Sequence, residues 1–147
     1  MAQDSLTHTT PLSHSYVKNR IAICWDASMA RGPTESPHVP EQDRQVVRTA
    51  LLPTIASVPQ TLRVHVASAM NSIVRCDFPD AWPTLLDEIV QLLGSGEQVQ
   101  IYAGVRALLE TVRAFRFDSA HAKLDKVVSC TFPTLLATVS ALMDSEQ

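Results

Sequence analysis

Few side chains in this sequence are spaced for chemistry. The five histidines are scattered over 147 residues, and no set of His, Cys, Asp or Glu has the close spacing that zinc sites use. Asp87 and Glu88 are adjacent, so on a helix they diverge by about 100° and cannot work as a carboxylate pair. The run Gly94-Ser95-Gly96 is too short to cradle a phosphate and follows a predicted helix, not a strand. We therefore predict no catalytic residue, no metal site, no cofactor and no enzymatic activity.

Composition and charge argue against several other classes of protein. The net charge is −3, and no basic stretch of the kind that binds nucleic acid is present. No run of about 18 apolar residues occurs, so we predict no transmembrane helix, and the first residues lack the pattern of a secretory signal. Cys24, Cys76 and Cys130 are odd in number and far apart in apolar stretches, which favours buried free thiols in a reducing compartment. We expect a protein of the cytoplasm and nucleus without nucleic-acid or membrane partners.

Apolar residues at helical spacing run through most of the chain. Residues 1–12 are polar and predicted to be disordered, Ser13 could cap a first helix that ends near Trp25, and the prolines and glycine of residues 27–40 predict a loop. No segment alternates with a period of two, so no sheet is expected. Further helices are predicted at residues 41–55, 60–75, 83–93, 97–117 and 119–143.

The connections between these helices have a regular rhythm. Residues 57–60 and 94–96 form tight turns, whereas the breaks at 27–40 and 76–80 contain prolines. Pro-Thr-aliphatic triplets begin at Pro53, Pro83 and Pro133, each in the first helix of a presumed pair. Pro133 lies inside the last predicted helix, where we expect a kink or two short helices meeting. The pattern predicts an all-α solenoid of about six helices, stacked as antiparallel pairs.

One stretch is specific enough to suggest a family. Asp77, Phe78, Pro79, Trp82 and Pro83 follow the pattern Asp-[Phe/Tyr]-Pro-x-x-Trp-Pro, which resembles a repeat boundary in the HEAT repeats of importin-β-type nuclear transport receptors. Pro79 stops the preceding helix, and Pro83 is expected in the first turn of the next, where its missing N–H had no partner. We expect Trp82 to pack there as a staple.

Other parts of the chain extend the resemblance to residues 15–143. "SYVKNRIAICW" at 15–25 is similar to the end of the family's N-terminal domain, and residues 39–55 resemble the second-repeat opening of the branch containing importins seven and eight. The resemblance implies a HEAT-type fragment over residues 13–147, with apolar faces at its ends that could self-associate. Its expected parts are a remnant of the N-terminal domain at 13–28, repeats at 40–76 and 80–117, and a partial repeat at 119–147.

The resemblance also implies a partner. In the importin-β family, the second helices of the first repeats line a concave face that binds the small GTPase Ran in its GTP form. Helical spacing then nominates polar residues that share the solvent-facing stripes of three helices. The alternative for each residue is a merely solvated face. The candidates are Lys18, Asn19, Ser68, Asn71, Arg75, Arg106, Glu110 and Arg113.

Three functional hypotheses follow from the sequence. The resemblance implies a nuclear transport receptor fragment that binds Ran-GTP in linkage with cargo release, in the cytoplasm, the nucleus and at the nuclear envelope. Cargo and nuclear-pore proteins are further partners of the full-length family. A generic HEAT scaffold with an unrelated partner is the second hypothesis, because a solenoid alone does not define function. The third is a truncated product without independent activity.

Overall fold

The computed structural model describes residues 11–25 and 38–145, without the side chains of residues 11–15 and 17. Most of the segment predicted to be disordered, residues 1–12, lies outside the described residues, as does most of the loop predicted at 27–40. Among the described residues there are six α-helices and no strand. The prediction of an all-α, HEAT-type helical solenoid is confirmed. The helices are α1 (Pro11–Cys24), α2 (Glu41–Ser57), α3 (Gln60–Asp77), α4 (Leu85–Leu93), α5 (Gln98–Phe115) and α6 (Ala122–Ser145).

Proline explains several of the helix boundaries. Pro40 and Pro59 directly precede α2 and α3, where the absent N–H of proline costs no hydrogen bond. The helix after Trp82 begins at Leu85, so placing Pro83 in its first turn was wrong; Pro83 lies in the preceding turn. Pro133 lies inside α6, which is a single helix across it and not two short helices.

The helices form two layers. In one, α3 lies between α1 and α5; in the other, α4 contacts α6. Short turns join α2 to α3 and α4 to α5 as antiparallel neighbours, and α2 also packs on α5. Between the facing sides of α2 and α4 an open cavity of about 470 Å³ remains. The apolar core lies between the layers, and its fully buried members include Ile55, Met70, Ile73, Leu85, Ile89, Leu93 and Val127.

Some side chains are more exposed than the sequence suggested. None of the three cysteines forms a disulfide, but Cys76 and Cys130 are exposed, so the expectation of buried thiols holds for Cys24 alone. Phe132, expected to pack at a repeat junction, is 38% exposed. Cys130 and Phe132 lie on α6, which contacts only α4 and α5 among the described helices, whereas Cys76 lies on a solvent-facing side of α3.

Helix α6 is apolar to an unusual degree. By length and composition alone its 24 residues could cross a membrane, with a mean hydropathy of 1.4 in an 18-residue window of which 11% is buried. The sequence expectation of no such helix overlooked it because Ser and Thr interrupt every long apolar run. Val127 and Thr131 are nevertheless fully buried in contact with the rest of the fold. Its apolar residues are thus divided between a packed face and an uncovered one.

The close packing of α4 on α5 depends on Gly104. A Cβ atom at this position would lie 3.0 Å from Leu92 Cβ and 3.0 Å from the backbone N of Leu93. Since the backbone of a packed helix cannot move aside cheaply, a larger residue forces the two helices apart. Gly104 therefore sets the distance between the helices of this pair.

We expect Gly104→Ala to destabilise the protein. Overpacking costs about 1–3 kcal/mol, which outweighs the gain of about 1 kcal/mol in helix propensity. Urea unfolding followed by circular dichroism measures the difference. Gly94→Ala is the control, because its nearest contact would be an ordinary 3.4 Å to Val90 O. A Gly104→Ala protein as stable as the parent would contradict the close approach.

Candidate partner-binding face

A buried charged junction holds the ends of α1, α2 and α3 together. The carboxylate of Asp77, at the end of α3, accepts a hydrogen bond of 2.6 Å from Arg48 and one of 3.1 Å from the indole N–H of Trp25. Arg48, Asp77 and Trp25 are 3%, 2% and 1% exposed. A carboxylate so far from water needs compensating donors. Arg48 on α2 supplies one donor, and Trp25 at the end of α1 supplies the other.

Arg44 completes the junction from one turn earlier in α2. Its guanidinium lies 5.0 Å from the ring centroid of Trp25 and 3.8 Å from Asp77 Oδ1. It donates hydrogen bonds to the backbone oxygens of Val39, at 3.1 Å, and Trp25. A planar guanidinium suits this position because it can stack on an indole and donate in its own plane.

The titration of the junction follows from its contacts. The hydrogen bond from Arg48 lowers the pKa of Glu41, which lies at the exposed start of α2. Burial by itself would lower the pKa of Arg48, but hydrogen bonds to Glu41 and Asp77 outweigh it and raise that pKa. Arg48 also donates to Gln45 at 3.0 Å, while its Nε finds no acceptor among the described residues. The two carboxylates therefore stabilise the buried cationic form of Arg48.

Sequence reasoning missed this junction. It treated Asp77 as part of a helix-stop motif and did not identify Arg48 as a buried residue. The buried residues of α2 are Arg48, Leu51, Leu52 and Ile55. The sequence did contain a signal for the junction. Arg48 precedes Leu51, Leu52 and Ile55 by three, four and seven residues, so it shares their apolar face, and a charged residue is buried there only when it has a partner.

The layer of α1, α3 and α5 carries the polar residues predicted to bind a partner, but some of them are engaged within the protein. Glu110, predicted to face solvent, is 5% exposed, which corrects that expectation. Its carboxylate lies 3.2 Å from Arg106 and 2.9 Å from Arg113. Asn71 donates a 3.0 Å hydrogen bond to the backbone oxygen of Glu110 and so joins α3 to α5. Asn71 thus joins two helices of the layer, whereas the carboxylate of Glu110 is used within α5.

The basic end of this layer remains open. Arg75 is exposed and forms no ion pair with the described residues, and the side chain of Arg113 is 46% exposed. Together with Lys123 and Asp118 they line an open pocket of about 310 Å³. Phe117, at its rim, is 85% exposed. This corner combines positive charge with an exposed aromatic ring, the composition that protein interfaces favour.

The remaining candidates lie apart from that corner. Lys18 lines an apolar cleft of about 230 Å³ between α1, α2 and α3, together with Ile21 and His65. Asn19 is exposed on the next position of α1, and Ser68 is half-buried on α3. Among the described residues, no group of three His, Cys, Asp or Glu side chains could hold a metal ion.

Comparison with known proteins identifies the family. Over 139 residues the chain is 32% identical to the importin beta-like SAD2 homolog of Arabidopsis thaliana, which covers 89% of this chain and 12% of that protein. The chain belongs to the importin-β family. It is also 31% identical to nonsense-mediated mRNA decay protein 5 of Saccharomyces cerevisiae, over 92% of this chain and 14% of that protein. Importin-8 of Danio rerio is 27% identical over 72% of this chain and 10% of its own length.

These relatives are much longer than the segment they share. The chain spans about an eighth of the length of the relatives from Arabidopsis thaliana and Saccharomyces cerevisiae. No family model matches it, and no solved structure does. In this importin-β family chain the residues of the Asp-Phe-Pro-x-x-Trp-Pro motif are structural in their contacts. Asp77 anchors the junction, Phe78 packs 5.8 Å from the ring of Phe115 and Trp82 donates to Glu88 at 3.2 Å.

We expect Asp77→Asn to destabilise the protein by about 3 kcal/mol, because the buried Arg48 loses its buried carboxylate and keeps only the exposed Glu41 as an ionic partner. Chemical unfolding monitored by circular dichroism gives the free energy directly. The control is Asp80→Asn, which removes an exposed carboxylate three residues away and should change stability by less than about 0.5 kcal/mol. Similar stabilities for the two variants would show that the junction is not a critical contact.

The lowered pKa of Glu41 predicts a pH effect with a definite sign. Because the pKa is lower in the folded protein than in the unfolded chain, the Glu41–Arg48 contact stabilises the fold above about pH 4.5. That stabilisation is lost as the pH falls through the folded pKa. Between pH 6 and pH 3 the parent should lose more unfolding free energy than Glu41→Gln does. Glu97→Gln, which removes an exposed carboxylate, should lose as much as the parent.

Proposed function

We propose that this chain is part of a nuclear transport receptor and binds Ran in its GTP form through the layer of α1, α3 and α5. The sequence similarity to an importin beta-like protein and to importin-8 supports a role in nuclear transport. A protein with that role is found in both the cytoplasm and the nucleus. The full-length receptor would bind cargo and nuclear-pore proteins as well.

The exposed cations carry the proposal from the family to particular residues. After Asn71 and Glu110 are assigned to contacts inside the layer, Arg75 and Arg113 remain accessible at its open end, beside Phe117. Lys18, Asn19 and Ser68 extend the same layer toward α1. Arg106 is 22% exposed and pairs with Glu110, so its role in this proposal is to hold that carboxylate when Arg113 engages a partner. Charged residues of this kind raise association rates and select partners.

We expect Arg75→Gln/Arg113→Gln to weaken binding to Ran at least tenfold, about 1.4 kcal/mol. Calorimetry or a pull-down with Ran loaded with a non-hydrolysable GTP analogue measures the affinity. The fold should be retained, because Glu110 keeps Arg106 as its partner. Gln42→Glu/Gln91→Glu is the matched control, since it changes net charge by the same amount on the opposite layer.

Two results would contradict the proposal. One is equal binding to the GTP and GDP forms of Ran, or binding to neither. The other is an equal loss for the double-Gln variant and its control, which would indicate a nonspecific effect of net charge. A pull-down from cell extract that recovers other proteins but neither Ran nor nuclear-pore proteins would support the alternative, a HEAT scaffold with an unrelated partner.

A further inference from the structure

The turn between α5 and α6 presents a serine hydroxyl that the fold does not use. Residues 116–121 connect the two helices, and within them Ser119 is exposed and forms no hydrogen bond with the described residues. Asp118 holds the turn through its backbone, because its N–H donates to Phe115 O at 3.0 Å and its carbonyl oxygen accepts from His121 at 3.3 Å. An exposed turn outside the helices opens at a low free-energy cost, so Ser119 is accessible to a modifying enzyme.

The residues before Ser119 carry a charge pattern that one class of protein kinase recognises. Arg116 and Arg113 precede the serine by three and six residues, and no other serine of the sequence has arginine three residues before it. Arg116 is exposed; its guanidinium lies 4.5 Å from the ring centroid of Phe117 and forms no ion pair with the described residues. Because kinases use such charge patterns to discriminate among substrates, we expect an arginine-directed serine kinase to recognise this turn.

A phosphate group on Ser119 would lie beside the open cationic pocket described above. Arg75, Arg113, Lys123 and Asp118 line that pocket, and these three cations and one carboxylate give a formal charge of +2. Asp118 directly precedes Ser119 in the turn. Phosphoserine carries a charge of about −1.5 to −2 at pH 7. The modification would therefore neutralise most of the charge of the lining residues.

We propose that Ser119 is a phosphorylation site and that its phosphate group occupies this pocket, which makes the pocket unable to bind a partner. An arginine-directed kinase transfers the γ-phosphoryl group of ATP to the hydroxyl oxygen of Ser119. The bond from the γ-phosphorus to the oxygen that bridges it to ADP breaks, ADP leaves, and the hydroxyl proton passes to the catalytic base of the kinase. The phosphate group then accepts charge-assisted hydrogen bonds from the guanidinium groups of Arg75 and Arg113.

The loss of partner binding rests on the proposed function, whereas the modification and its contact with the pocket do not. Arg75 and Arg113 are the residues proposed above to bind Ran, so a phosphate group bound to them competes with the acceptor groups of the partner. The fold should be unchanged, because Ser119 is exposed and a negative charge before α6 suits the positive end of the helix dipole. Phosphorylation therefore changes the binding surface and leaves the packing of the helices intact.

Phosphorylation of the folded chain in vitro tests the site. The Thr34→Ala chain removes the threonine that follows Arg31 at the same spacing, and it is incubated with ATP and the catalytic domain of an arginine-directed serine kinase. We expect mass spectrometry to find the phosphate on Ser119, and Arg116→Gln to lower kcat/KM at least about tenfold. Arg20→Gln is the matched control, because it removes an exposed arginine of α1 and should be modified like the parent. Modification mainly at other residues, or an equal loss for both variants, would overturn the proposal.

Phosphorus NMR tests the contact with the pocket without any partner. Cations near a phosphate group lower its second pKa, so phosphoserine at Ser119 should titrate about half a pH unit or more lower in the folded protein than in the same protein unfolded in urea. Asp118 and His121 flank the serine in both states, so the difference reports on the pocket. In Arg75→Gln/Arg113→Gln most of the difference should disappear. A pKa that is the same in the folded and unfolded protein would show that the phosphate group does not occupy the pocket.

Ran binding tests the consequence for the partner. The chain phosphorylated on Ser119 should bind Ran in its GTP form at least about tenfold more weakly than the unmodified chain. Ser119→Ala is the control, because it should bind like the unmodified chain and show no change after treatment with the kinase. Equal binding by the modified and unmodified chains would contradict the loss of partner binding. If the unmodified chain does not bind Ran, the proposed function is wrong, and the NMR titration still decides whether the phosphate group occupies the pocket.

Discussion

The fold depends on how one buried carboxylate is satisfied. Asp77 lies where α3 ends, and the chain cannot continue as a helix past Pro79, so its side chain is left inside the junction of three helix ends. Only donors from other elements can compensate its charge, and Arg48 and Trp25 supply them. The relative placement of α1, α2 and α3 follows from that requirement, because a carboxylate without either donor would cost several kcal/mol.

The elements could be predicted because their signals are local. Proline and glycine lie at or beside most of the helix ends, and the apolar residues between them recur with the period of an α-helix. The starts of α2 and α3 need nothing beyond Pro40 and Pro59 to explain them. The predicted start of α4 at Pro83 was wrong because the chain makes a turn before the helix. The residues around Pro83 are compatible with a turn and with the first turn of a helix.

The junction and the partner-binding layer could not be predicted in the same way. Arg48 and Trp25 lie 29 and 52 residues from Asp77, a separation over which a single sequence carries no pairing information. Treating each helix alone also places Asn71 and Glu110 on solvated stripes. In the fold, Asn71 donates to the backbone of the adjacent helix and Glu110 pairs with two arginines of its own helix, since a polar group at a helix contact must find a partner. The surface left to bind a partner is therefore smaller than the stripes predicted from the sequence, and it is concentrated near Arg75 and Arg113.

The surface proposed for binding and the buried junction both rely on charge, but they respond differently to salt. The corner of Arg75 and Arg113 is partly exposed, so its contribution falls as salt screens it over a Debye length of about 8 Å at physiological ionic strength. Arg48 and Asp77 are buried, and salt screens a buried pair much less. The junction therefore keeps the three helices in place under conditions in which the charged corner gains or loses a partner.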